Sequence, residues 1–233
     1  MTTLENVLAA LEVVIDPELD EPITSLRFVS SVDISSDGDV EVVLRLPTPQ
    51  CAPNFAFLMA ADAREAVRRL PGVRNAIVKL QDHYTGDEIN GALARGDGFT
   101  GAFPGETTDD DLSALRELFQ RKALIARQSN LCEALLGAGA DAEEIVELCV
   151  ADLEEGPELQ RCLELREQLG IAADAGAPAF VSPKGEAFAA GDLQRWLRMA
   201  RLIRTSLETN GGICRSLLEF RHELASDPKE LAR

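Results

Sequence analysis

The stretch LRLPTPQCAPNFAFLMA, residues 44–60, sets a cysteine, Cys51, between Pro49 and Pro53. An alternating strand pattern ends just before it and a helical pattern begins just after it. A sulfur at the start of a helix meets free backbone N–H groups and the positive end of the dipole, and both stabilise a thiolate. Thiolates attack electrophiles and bind soft metals. The prolines stiffen the backbone on either side, so the sulfur is held in place. The other reading of Cys51 is a small buried hydrophobe, the common role of an unpaired cysteine.

A second constellation is VVIDPELDEPI, which crowds Asp16, Glu18, Asp20 and Glu21 between a helix and a strand. Hard cations take oxygen clusters of this kind, but the spacing fits no calcium loop, and a solvated acidic turn is the alternative. His83 follows a predicted strand and joins Cys51 as a metal ligand if the sheet brings them together; otherwise it is a loop residue. One thiolate is too few for a closed tetrahedral site. A complete cluster site would need a second copy of the chain, as in a homodimer, or a partner protein or glutathione.

The remaining sulfurs carry weaker signals. Cys132, Cys149 and Cys162 sit among leucines on predicted helices and read as core. Cys214 follows Gly211-Gly212 at another predicted helix start. Arg195, Arg198, Arg201 and Arg204 recur every three residues, which winds them around a helix as a slanted cationic patch. That patch either docks an acidic partner or pairs with the protein's own carboxylates.

Elements must position these groups. Leu4, Val7, Leu8, Leu11, Val14 and Ile15 predict a helix that stops at Asp16-Pro17. Val40, Val42, Leu44 and Leu46 alternate, and Asp37-Gly38 supplies a hairpin turn. Phe55 to Leu70 reads as an amphipathic helix ended by Pro71-Gly72, and VRNAIVKL as a third strand. The predicted class is α+β: a small N-terminal α/β sandwich of order αββαβ over 1–85, a glycine-rich linker or surface loop over 86–108, and a mainly helical domain with a short hairpin over 109–233. In that second domain Asp141 and Glu144 form a capping box, Pro157 opens a helix, and Asn210-Gly211-Gly212 ends the helix that Asp192 caps.

Composition narrows the function. Acidic residues outnumber basic ones 40 to 23, a net charge of -17, which disfavours nucleic acid and anionic membrane as partners. No apolar run reaches the roughly 18 residues of a membrane span. The N-terminus has no signal-peptide pattern, and five cysteines without CxxC spacing argue against a disulfide framework or zinc ribbon. The expected setting is cytoplasmic and reducing. With His83 and His222 the only histidines, and no phosphate-binding glycine pattern, nothing reads as an enzyme.

The order of these pieces resembles the SufT/PaaD-like iron–sulfur assembly family over about residues 3–82. The matching residues are Asp16-Pro17-Glu18, Ile23 with Leu26 and Val29, Thr48-Pro49-Gln50-Cys51, and LPGV at 70–73. The resemblance implies a non-enzymatic maturation factor that delivers iron or an iron–sulfur cluster, bound transiently, to client metalloproteins. It implies that Cys51 is the reactive residue, with Asp16, Glu18 and Thr48 around it. A client metalloprotein or an assembly scaffold would be the partner, and PaaD-like members point to an oxygenase system. The alternative is a metal-free accessory protein of a multicomponent oxygenase. Two positions depart from the family pattern: Leu26-Arg27-Phe28 where the family has Leu-Gly, and Cys51-Ala52-Pro53 where it has Cys-Pro. Further on, LGIAADAGAPAFVSPKGEAFAAGDLQRWL is faintly similar to the closing part of a DsbA-like thioredoxin fold that lacks CxxC; a plain helical domain with a hairpin is the other reading.

Overall fold

The computed structural model describes residues 2–106, 110 and 112–226, with side chains through Arg221, so the side chain of His222 lies outside it. The chain forms two compact units, residues 1–113 with 210–233, and residues 114–209. This division differs from the expected one. The first unit extends past residue 85 and takes back the end of the chain.

In the first unit, helix α1 (Leu4–Leu11) opens with a reciprocal cap: Thr3 Oγ1 accepts the Asn6 N–H, and Asn6 Oδ1 accepts the Thr3 N–H. It ends earlier than its apolar spacing predicts. Val13, Val14 and Ile15 are three β-branched residues in a row, which lose side-chain freedom in a helix. An extended alternative takes them: β1 (Ile15–Asp16) pairs antiparallel with β2 (Glu21–Pro22), and the Ile23 N–H donates to the Val14 carbonyl. Val14 is buried all the same, so the periodicity marked the core correctly and the element wrongly.

The main sheet has three strands in the order β3 (Val29–Ile34), β4 (Asp39–Arg45), β5 (Asn75–Gln81). β3 and β4 form the expected antiparallel hairpin, while β5 runs parallel to β4 after crossing through α2 (Pro53–Arg68). At the hairpin turn Gly38 has φ +87°, and a Cβ there would stand 2.6 Å from the Gly72 carbonyl oxygen. Glycine is therefore needed twice over at that position. Val40, Val42 and Leu44 of β4 and Ala76, Val78 and Leu80 of β5 are buried, as are Ala56, Met59, Ala63 and Val67 of α2.

Residues 86–108 are more than the expected linker. They carry α3 (Gly86–Arg95) and α4 (Phe99–Ala102). Ile89, Ala92 and Leu93, spaced i, i+3, i+4, bury the α3 face, and Asn90 bonds both the N–H and the carbonyl of Leu80 at the end of β5.

The second unit is helical: α5 (Ser113–Gly137), α6 (Ala142–Glu147), a 3-10 turn (Val150–Asp152), α7 (Pro157–Gln168) and the first part of α8 (Ala190–Ser226). Asp141 and Glu144 make the predicted capping box, and Pro157 is the first residue of α7. The expected hairpin reduces to one bridge, Val181 with Ala187, around the Ser182–Gly185 turn. Among the described residues this unit has no strand beyond isolated bridges, so the sheet of a thioredoxin-like fold is not there. α8 runs unbroken through Gly211-Gly212, where a helix end was expected. The α+β class and the mainly helical second half hold; the order αββαβ gains the β1–β2 pair and two further helices.

Candidate functional site

Cys51 sits one residue before Ala52, the N-cap of α2, because Pro53 takes the first helical position. The loop that carries it is tied at several points. Thr48 Oγ1 accepts the Gln50 N–H at 3.2 Å and lies 3.7 Å from Cys51 Sγ, so its own hydrogen is available to the sulfur. The Tyr84 N–H donates to the Pro49 carbonyl at 3.0 Å. The thiol is half-buried.

His83 is close to Cys51, but through the backbone. Its Nδ1 accepts the Thr85 N–H at 3.3 Å, which places the ring hydrogen on Nε2, and Nε2 donates to the Cys51 carbonyl at 2.8 Å. Both ring nitrogens are used, so His83 orients the loop instead of offering a lone pair to a metal. Among the described residues no three His, Cys, Asp or Glu side chains stand together as a metal site.

The acidic turn is built around Asp16, which is 8% exposed. Its Oδ1 accepts the N–H groups of Glu18 at 2.8 Å and Leu19 at 3.0 Å. Burial pushes its pKa up to about 6 against the pull of those two N–H groups, and the charges of Glu18 and Glu21 push the same way. Arg27, standing where the family has glycine, takes φ +58°, the left-handed conformation that glycine adopts freely.

Sequence reasoning missed the residues that meet this turn from the far end of the chain. Asn210 Nδ2 donates to Glu18 Oε1 at 3.1 Å, and Arg215 Nη1 to the Glu21 carboxylate at 2.6 Å. Arg221 Nη1 donates to the Leu46 carbonyl, and its Nη2 stands 3.3 Å from Asp82. All of these belong to the first unit. On the same stretch, burial pushes the Cys214 thiol up to about 11, and the charges of Asp16, Cys51 and Glu18 add to that.

In the second unit Cys132 and Cys162 are 0% and 2% exposed within apolar clusters, as expected of core sulfurs. Cys149 caps the 3-10 turn through its backbone. The arginine patch divides. Arg201 and Arg204 both bind Glu133, at 3.0 and 2.5 Å, which lowers the Glu133 pKa, while Arg195 and Arg198 are exposed.

The region around Cys51 has relatives. The family described as "Iron-sulfur cluster assembly protein" matches residues 4–79. An uncharacterized protein of Methanocaldococcus jannaschii is 34% identical over 93 residues, 40% of this chain and 96% of that protein. The Fe-S protein maturation auxiliary factor YitW of Bacillus subtilis is 33% identical over 76 residues, 33% of this chain and 72% of that protein. An Fe-S protein maturation auxiliary factor of Porphyromonas gingivalis is 31% identical over 80 residues, 34% of this chain and 74% of that protein. With its thiol loop, its acidic turn and all but the last two residues of its three-stranded sheet inside the matched residues, the chain belongs to the iron–sulfur cluster assembly protein family.

Proposed function

We propose that this chain is a non-enzymatic maturation factor that takes up iron or an iron–sulfur cluster at Cys51 and passes it to a client metalloprotein. The observation that carries the reading is the Thr48–Cys51 loop, held by His83 and Tyr84 so that one half-buried sulfur is presented next to a hydroxyl. The metal is cargo here, and a site with few protein ligands releases it readily. Thr48 orients the sulfur, and Asp16 and Glu18 shape the acidic wall beside it. Two relatives carry the name Fe-S protein maturation auxiliary factor, which supports the same reading.

The partners are a client and an assembly scaffold, in a cytoplasmic setting; an oxygenase component is the client class that the PaaD-like resemblance implies. Among the described residues no helix is long and apolar enough to cross a membrane. The exposed Arg195 and Arg198 of the second unit offer an acidic partner its first contact.

The test is iron and acid-labile sulfide per chain after anaerobic reconstitution, wild type beside Cys51→Ala. Iron and sulfide bound by the wild type and lost in the variant are the expected result. No metal in either protein overturns the carrier reading and leaves a metal-free accessory protein.

A further inference from the structure

We propose that Cys214 is the second sulfur ligand of the Cys51 site, so that one chain offers the metal cargo two thiolates from residues far apart in sequence. This rests on the carrier reading above and adds the ligand that reading lacks.

From residue 210 onward α8 belongs to the first unit, and Gly211, Cys214, Leu218 and Arg221 are the positions it turns inward; Leu218 is 3% exposed. These positions follow the i, i+3, i+7, i+10 spacing of a single helix face. The face is fastened at both ends. Asn210 holds Glu18 of the acidic turn, and Arg221 holds the Leu46 carbonyl and Asp82, which flank the Thr48–Cys51 loop and His83. Cys214 lies between, one turn beyond Asn210, within electrostatic reach of Cys51, Asp16 and Glu18.

Two thiols suit a carrier better than one or four. When a divalent metal binds, each thiol releases its proton and forms one metal–sulfur bond, so two protons leave and no electron moves. The remaining coordination positions stay open to a donor or recipient. The pair also removes the need for a second copy of the chain to supply the second sulfur.

Cobalt(II) added to the reduced full-length protein under argon tests this, because thiolate-to-cobalt charge-transfer absorbance per bound ion grows with the number of thiolates. Wild type is expected to show the band, Cys51→Ser and Cys214→Ser about half of it, and the double variant none. Cys149→Ser is expected to match wild type. A Cys214→Ser protein with full intensity, beside a Cys51→Ser protein without the band, overturns this inference and leaves the carrier reading standing. A wild type without the band overturns both, and an equal loss in Cys149→Ser overturns the assignment to Cys214.

Discussion

Cys132 and Cys162 are packed into apolar clusters in the second unit, whereas Cys51 and Cys214 in the first are half covered and stand among hydroxyl, carboxylate and guanidinium groups. The same contrast holds for charge. The second unit buries Arg166 at 1% exposure, but gives it the carbonyls of Pro178 and Ala179 and the amide oxygen of Gln128. The first unit buries Asp16 without a cation on it. Among the described residues all four non-glycine residues with positive φ lie in the first unit, and Asp20, Arg27 and Asp82 flank the acidic turn or His83. Locally unfavourable choices therefore gather around the sulfur that chemistry would use, while the second unit spends its polar groups on holding itself together.

The largest expected effect tests the buried acid. The folded pKa of Asp16 is raised from 3.8 to about 6, so the folded state favours its protonated form. Its contribution is fully present below pH 3.8 and is lost as pH rises through about 6. Asp16→Asn keeps an acceptor for Glu18 and Leu19 and is expected to raise stability at pH 7 by up to about 3 kcal/mol. Urea unfolding at pH 7 and at pH 4 measures it: the gap between variant and wild type should shrink at the lower pH. A variant less stable at pH 7 breaks the comparison.

A smaller effect separates the sulfurs. Cys132→Ser places a hydroxyl in an apolar cluster and is expected to cost about 1–3 kcal/mol, whereas Cys51→Ser should stay within about 0.5 kcal/mol in the same unfolding measurement. Equal losses would mean that Cys51 is a core residue after all. Smallest is Arg27→Gly, which relieves a left-handed backbone at the expense of a freer unfolded chain; a gain of about 1 kcal/mol or less in the urea midpoint is expected.

Much of the first unit was legible because its signals are local. Alternation in β4, the Asp37-Gly38 turn and the apolar stripe of α2 each depend on neighbours a few residues apart, and they fix where Cys51 falls. Other features had competing causes. Val14 and Ile15 fit the α1 stripe, but β-branching and pairing with β2 pulled that segment out of the helix. In 86–108 the glycines outweighed the short Ile89, Ala92, Leu93 pattern that makes α3. Gly211-Gly212 read as a stop because glycine disfavours helix by about 1 kcal/mol, which contacts such as Arg215 with Glu21 offset. Those contacts join residues almost two hundred positions apart, and no local pattern announces them.

The return of α8 to the first unit also sets a timetable. A chain leaves the ribosome from its N-terminus at roughly 5–20 residues per second, and domains fold as they emerge. The strands, α2 and the Cys51 loop with its ties to His83 and Tyr84 are complete while Cys214 is still about 130 residues from being made, a delay of roughly 7 to 26 seconds. Every newly made copy thus passes through an interval in which its thiol loop is folded and α8 does not yet exist. Until then the Cys51 loop is without Cys214 and without the helix face that Asn210 and Arg221 fasten, and it meets small thiols, metals and oxidants in that unfinished form.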